Sequence, residues 1–195
     1  MVIVMDYKEI RNPYELYEYM RNNIEYGFYS TFDMKVHRRL EMDDYSYENL
    51  LFSYYYLQKP EELLITKTGI CYDQVEFERK WFLDHNYKVH TFYTPYHNHC
   101  FLIFKDRDYY YLFETCIKDI NGIYIGETLE ELLDYYRILQ NNFDMKFYEY
   151  SNVNYGCNFY DFIFNIIPNK DFIFNLKQTI DESLVRKRKL NIVNN

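Results

Sequence analysis

Residues 97–105 restrict the fold of this chain more than any other stretch, because they are apolar on both faces of any strand they form. Successive side chains of an extended chain point to opposite faces. A strand with apolar residues on both faces has to be covered on both sides, as the central strand of a sheet is. The alternating residues are Phe101 and Ile103 on one face, and Leu102 and Phe104 on the other.

A turn at Asp106-Arg107, or at Asp106-Arg107-Asp108, connects this strand to another β-like run at residues 108–116. The two-residue turn places His99 directly opposite Glu114, on the same face and with Cβ atoms about 4.5–5.5 Å apart. Because Asp-Arg is not a favoured two-residue turn, a β-bulge is the other route to this register. We therefore expect an imidazole and a carboxylate side by side in this hairpin.

Upstream of the hairpin, Cys71 stands at the start of a helix-forming run at residues 69–85. Gly69 ends the irregular stretch before it. Backbone N–H groups at a helix N-terminus point at such a side chain, and the helix dipole favours negative charge there. This environment favours the thiolate, the nucleophilic form of cysteine.

One face of this helix is mostly apolar and is interrupted by Glu78. We expect Glu78 to be buried beside a partner, either an Arg or a Tyr hydroxyl. Glu76 and Lys80, four residues apart, are expected to pair on the outside of the helix. The inward face consists of Cys71, Val75, Glu78 and Phe82.

Helical patterns on both sides of this region make the predicted fold class α+β. Asn12 and Pro13 cap and start a helix that Gly27 stops, and residues 28–44 are expected to be irregular. A second helix is expected over residues 45–57, ending before a proline. The other expected elements are one helical turn at 60–63, a strand at 87–93, a helix from Thr128 to about 142, a strand at 146–150, segments ambiguous between strand and helix at 158–167 and 171–180, and a frayed end from Arg186.

The 195 residues are expected to form one domain over residues 1–195. A net charge of −8 disfavours a basic nucleic-acid surface. The apolar run at residues 1–6 is too short for a signal peptide, and no apolar stretch is long enough for a membrane span. The four cysteines form no CxxC pair, which predicts free thiols and a cytoplasmic protein.

Three short motifs resemble those of the transglutaminase-like superfamily of cysteine acyl-transfer enzymes: Gly69-Ile70-Cys71, His99-Cys100-Phe101 and Phe113-Glu114. Members have Gly-x-Cys at a helix start, His-small-aromatic on a strand, and a carboxylate at the end of the next strand. The carboxylate is commonly Asp, and here it is Glu. The resemblance covers residues 67–115 and implies a papain-like core, in which the nucleophile helix packs on an antiparallel sheet within a catalytic core at residues 67–120. The additional helices would lie at the N- and C-terminal ends.

The resemblance implies a Cys-His-Glu triad in which Cys71 attacks an amide carbonyl, His99 protonates the leaving amine and Glu114 orients His99. Water would then make the protein a peptidase or amidase, and an amine would make it a transglutaminase or acyltransferase; both outcomes stay open. The expected partner is a peptide or an amide-bearing small molecule, with no cofactor. The backbone N–H of Cys71 would stabilise the oxyanion together with a second donor, for which Tyr26 and Tyr72 are candidates.

Three alternatives compete with this reading. His97 lies on the same face as His99 and could serve as the base instead. A zinc site built from Cys71, His97, His99 and Glu114 is conceivable, although this spacing matches no known zinc module. A non-catalytic binding module that keeps the fold would have a broken or buried triad.

Overall fold

The computed structural model describes residues 7–193 of the chain. Within that range the helices are α1 (Pro13–Asn23), α2 (Asp44–Tyr54), α3 (Pro60–Thr66), α4 (Cys71–Asp84), α5 (Leu129–Leu139), α6 (Phe159–Ile166) and α7 (Lys170–Val193). The strands are β1 (Glu25–Ser30), β2 (Lys35–Arg38), β3 (Thr68–Gly69), β4 (Lys88–Thr94), β5 (His99–Asp106), β6 (Tyr109–Glu114), β7 (Gly122–Gly126) and β8 (Tyr148–Tyr150).

The main sheet has five antiparallel strands in the order β7-β6-β5-β4-β8. Helix α4 packs on one face of it and α5 on the other. The two faces of β5 accordingly belong to two separate apolar clusters, with Leu102 and Phe104 on the α4 side and Phe101 and Ile103 on the α5 side. The expected central strand, covered on both sides, is confirmed, and so is the α+β class.

A second sheet of three strands, β2-β1-β3, stands where the sequence predicted an irregular segment. Helix α1 ends at Asn23, and Gly27 lies within β1 instead of stopping a helix. A Cβ at Gly27 would lie 2.4 Å from the carbonyl oxygen of His37 and 2.5 Å from Cγ2 of Thr68. The glycine is therefore required by the close approach of three chain segments, which depends on partners distant in sequence.

Several helix boundaries also differ from expectation. Helix α2 ends at Tyr54, three residues earlier than predicted, and α3 is a helix of seven residues instead of a single turn. Strand β7 was not predicted. Both ambiguous segments are helices, and α7 continues to Val193 instead of fraying from Arg186. Helix α7 is stabilised because it packs against α2 and α6 and because Lys187 pairs with Glu48.

Helix α4 is buried on more sides than an amphipathic surface helix, since it contacts α1 and α3 as well as the sheet. Glu76 is fully buried and pairs with Arg79 at 2.7 Å, while Lys80 pairs with Asp84 at 3.0 Å. The expected outer pair of Glu76 and Lys80 is therefore wrong. Because Glu76 is buried, its charge needs a cation close by, and Arg79 on the same turn of the helix supplies it.

Among the helices of residues 7–193, none combines the length and apolar character needed to cross a bilayer. Residues 1–6, which the sequence excluded as a signal peptide, lie outside the described residues.

Candidate active site

Cys71 is the first residue of α4 and directly follows the short strand β3 and Ile70. Its thiol is 3% exposed, and the sulfur lies 3.9 Å from the carbonyl oxygen of Asn98. Gly69 permits the tight entry into the helix. A Cβ there would lie 2.7 Å from Cδ1 of Leu63 and 2.8 Å from Cβ of Asp73.

Asp73 anchors the start of this helix from within the core. Its Oδ2 accepts the backbone N–H of Ile70 at 3.0 Å, and its Oδ1 accepts the hydroxyl of Tyr55 at 3.0 Å and the backbone N–H of Gln58 at 2.9 Å. Burial raises the pKa of Asp73 to about 7, against the lowering effect of these hydrogen bonds. Asp73 therefore ties the segment between α2 and α3 to the Cys71 helix.

His99 and Glu114 meet, with His99 Nε2 located 2.8 Å from Glu114 Oε2. The predicted register was wrong by two residues, because the turn is formed by Arg107 and Asp108 and β5 pairs with β6 accordingly. A slip of two residues keeps every side chain on its face. Glu114 therefore lies level with Phe101, diagonal to His99, and the long Glu side chain spans that diagonal.

Four hydrogen-bond donors converge on the Glu114 carboxylate, which is 1% exposed. Its Oε1 accepts the backbone N–H groups of Cys116 at 2.8 Å and Ile117 at 3.0 Å. Its Oε2 accepts the hydroxyl of Tyr136 at 3.2 Å in addition to His99. A carboxylate held in this way cannot rotate away from the imidazole.

Sequence reasoning missed Tyr136. Its ring lies on the inner face of α5 and stacks on Phe101, with ring centroids 4.2 Å apart. A buried tyrosine needs a partner for its hydroxyl, and Glu114 supplies it. The only available signal was a polar-tipped residue on the apolar face of a helix, and that signal does not reveal the partner.

His99 is buried, and burial alone disfavours its charged form. The negative charge of Glu114 and the neighbouring sulfur of Cys71 act in the opposite direction, and Glu114 also hydrogen-bonds the ring. Together they raise the pKa of His99 to about 10. Because Nε2 faces Glu114, Nδ1 is the ring nitrogen left for Cys71.

A second buried carboxyl lies behind this pair. Glu78 on α4 accepts the hydroxyl of Thr115 at 2.5 Å, and Thr115 directly follows Glu114 in the chain. Burial raises the pKa of Glu78 well above its usual range, and the charge of Glu114 adds to the effect. Glu78 is buried with a partner as expected, but that partner is a threonine, neither an Arg nor a Tyr.

The rival residues lie elsewhere. His97 is exposed, has a φ of 58° and places its ring against Tyr96, 4.0 Å away. Within residues 7–193, no group of three or more His, Cys, Asp or Glu side chains has an arrangement that could hold a metal ion. Tyr72 is fully buried against Phe162, whereas Tyr26 is 42% exposed and its backbone pairs with Gly69 in the second sheet.

The other three thiols lie in less favourable environments. Burial raises the pKa of Cys100 and of Cys116 well above the usual range, and neighbouring negative charge adds to the effect. Burial raises the pKa of Cys157 to about 11. A raised pKa lowers the reactivity of a thiol near neutral pH, since the thiolate is the reactive form.

Residues 4–141 match the family described as the transglutaminase-like domain, which is more than half of the chain. The protein belongs to that family. The matched range contains Cys71, His99, Glu114 and Tyr136, whereas β8, α6 and α7 follow it. No curated protein and no solved structure gives a significant match to the chain.

Within this transglutaminase-like domain, α4 packs against the antiparallel sheet at β4 and β5, as the family resemblance implied. Cysteine chemistry is usual in the family. The residues assembled at the N-terminus of α4 and along β5 and β6 are a thiol, an imidazole and a carboxylate, which together can generate a nucleophile and transfer a proton.

Proposed function

We propose that this protein is a cysteine-dependent acyl-transfer enzyme acting on amides, with Cys71 as nucleophile, His99 as acid and base, and Glu114 as the residue that orients His99. The observation that carries the proposal is the His99–Glu114 hydrogen bond of 2.8 Å, made by a ring whose pKa the neighbouring Cys71 also helps to raise. A base held by a third group beside a helix-start thiol is the arrangement of an activated nucleophile.

The reaction would proceed in two steps. The Cys71 thiolate attacks the amide carbonyl, and collapse of the tetrahedral intermediate expels the amine, which takes a proton from the His99 imidazolium. Water or a second amine, deprotonated by the now neutral imidazole, then attacks the thioester and releases Cys71. Water gives a peptidase or amidase, and an amine gives a transglutaminase or acyltransferase.

Oxyanion stabilisation would come from the backbone N–H of Cys71, which is at the N-terminus of α4. Tyr26 is the better candidate for the second donor, since its strand pairs with Gly69, whereas the Tyr72 ring is stacked in the core. Although 42% of Tyr26 is exposed, its hydroxyl is desolvated and lies near Cys71. Both effects raise its pKa well above the usual range, so the hydroxyl would stay protonated and able to donate.

The substrate we propose is a peptide or another amide-bearing molecule, and the net charge of −8 argues against a nucleic-acid partner. Four free cysteines are consistent with a reducing compartment, which supports a cytoplasmic location.

A non-catalytic binding module is the alternative, and the burial of Cys71 favours it. A thiol that is 3% exposed cannot receive a substrate until the segment around Asn98 moves aside. This segment includes two consecutive non-glycine residues with positive φ, His97 at 58° and Asn98 at 49°. Such a backbone is strained. Moving this segment away from Cys71 therefore costs less free energy than moving a relaxed segment would.

Active-site trapping followed by substrate profiling tests the proposal. Cys71 would be alkylated by iodoacetamide in the presence of pools of peptides and simple amides, and protecting pools would then be examined by intact mass for a thioester on the protein. We expect protection, a covalent adduct that Cys71→Ser abolishes, and no effect of the matched change Cys157→Ser. Pools that protect Cys71 but stay intact and leave no adduct would favour the binding module.

A further inference from the structure

Strand β7 forms one edge of the main sheet, and its sequence lacks the residues that usually protect an edge strand, although α1 and α5 both contact it. Exposed edges normally carry charges, prolines or bulges, because their free N–H and C=O groups otherwise pair with another chain. The sequence of β7 is Gly-Ile-Tyr-Ile-Gly, without charge or proline. Of the other described edges, β2 carries Lys35 and Arg38, and β8 has three residues and carries Glu149.

A groove of about 880 Å³ runs along this edge between β7 and α5. Its floor is apolar. Ile125 of β7 is 60% exposed and Ile138 of α5 is 57% exposed. Tyr124 and Tyr135 also line the groove and pack against each other, with ring centroids 5.4 Å apart. A strand added to β7 would lie in this groove and cover these side chains.

The wall formed by α5 is acidic. Glu130, Glu131 and Asp134 line the groove, and the first of these is 75% exposed. Arg137 is the one cation on this helix and pairs with Asp134 at 2.6 Å and with Glu130 at 3.7 Å. Three acids against one base leave the wall negative, so cationic side chains would be complementary to it.

We propose that the groove between β7 and α5, the β7 groove, binds an extended, Lys- or Arg-bearing segment of another polypeptide as a sixth strand of the sheet. Backbone pairing with β7 gives the affinity, and the acidic wall favours partners with cationic side chains. The inference does not depend on Cys71 chemistry, since β7 is separated from β5 by β6.

A second copy of this chain is the competing occupant, because Gly-Ile-Tyr-Ile-Gly reads the same in both directions and can pair with itself about Tyr124. Antiparallel self-pairing has a two-fold axis perpendicular to the sheet, which would place both α5 helices on the same face. The two acidic walls would then meet, and like charges across an interface oppose association. The charge of the groove therefore favours a basic segment.

Fluorescence polarisation with labelled synthetic peptides tests this. The probe is a hexapeptide of three Lys-Val repeats, compared with one of three Glu-Val repeats and with a Lys-Val peptide N-methylated at alternate amides, which cannot pair with a strand. We expect binding of the Lys-Val peptide that weakens with salt, and at least about tenfold weaker binding of both comparison peptides. Protection of amides in residues 122–126 from hydrogen exchange should accompany binding.

Ile125→Lys should weaken binding by at least about tenfold, since it places a cation on the exposed edge. The matched control is Ile65→Lys, which makes the same change at an apolar residue of α3 that is 82% exposed. Its affinity for the Lys-Val peptide should stay within about twofold of the wild-type value. Circular dichroism of both variants should match the wild type. Equal binding of the Lys-Val and Glu-Val peptides, or equal loss in the two variants, would overturn the proposal. A dimer in sedimentation that Ile125→Lys dissociates would replace it with self-association.

Discussion

Replacement of Glu114 by Gln should disable His99 through its tautomer. The two backbone N–H groups of Cys116 and Ile117 require an acceptor at the Oε1 position, so the amide oxygen of Gln must stay there. The amide NH₂ then occupies the Oε2 position and donates to His99 Nε2. That nitrogen must be unprotonated, so the proton moves to Nδ1, which faces Cys71 and can no longer accept the thiol proton.

The size of the effect follows from the charge lost. Glu114 is the largest influence raising the pKa of His99, from 6.5 to about 10. That rise corresponds to about 5 kcal/mol in favour of the imidazolium. Without Glu114, the strongest influence that opposes burial is gone, so the pKa of His99 should fall and alkylation of Cys71 should slow. Turnover of any substrate should fall further, by up to about 10⁴-fold.

The assay is the rate of Cys71 alkylation by iodoacetamide, followed by peptide mapping from about pH 5 to pH 10. Glu114→Asp is expected to slow Cys71 alkylation less than Glu114→Gln does. Its side chain is shorter by about 1.5 Å, so it can hold either the backbone N–H groups or His99 across the diagonal, but not both. The matched control is Glu149→Gln, at the other His–Glu pair of the same sheet, where Glu149 lies 2.6 Å from His90. It should leave the profile unchanged.

Wild-type pH profiles for both Glu114 variants, in protein that remains folded by circular dichroism, would refute the role of Glu114. The orienting carboxylate would then have to be sought in a neighbour such as Asp73 or Glu78.

Three further expectations follow from the structure. Cys71 should be the first of the four thiols labelled near neutral pH, since the pKa of each of the other three is raised; preferential labelling of another cysteine would contradict this. Because the folded-state pKa of His99 is raised, the folded protein holds its proton more tightly, so urea denaturation should show stability falling by up to about 5 kcal/mol between pH 6.5 and pH 10; His99→Gln should remove that part of the slope. Gly69→Ala should lower the free energy of unfolding by about 1–3 kcal/mol, because the added Cβ meets Leu63 and Asp73, and an unchanged urea midpoint would show that these neighbours can move aside.

The hairpin of β5 and β6 shows which structural features a local sequence pattern can predict. The alternation of residues 97–105 determines which side chains share a face, whereas the prediction that His99 and Glu114 lie opposite each other also depended on the turn. The register depends on the turn, and the observed turn at Arg107 and Asp108 shifts it by two residues. An even shift preserves the faces, so the two residues meet although the predicted pairing was wrong.

Several features of the fold depend only on neighbours along the chain and could be predicted from them. These are the capping of α1 by Asn12, the helix start at Cys71 after Gly69, the covered central strand and the capping of α5 by Thr128. Each rests on hydrogen bonds or side-chain spacing within a few residues.

The remaining features depend on groups that are distant in sequence, so they become visible only in the folded protein. The role of Gly27 in a strand follows from the close approach of His37 and Thr68, which are distant from it in sequence. The burial of Glu76 follows from helices that pack around α4. Tyr136 reaches Glu114 across 22 positions of sequence. No local pattern encodes such contacts, since burial and long-range packing decide which polar groups are desolvated and must find a partner.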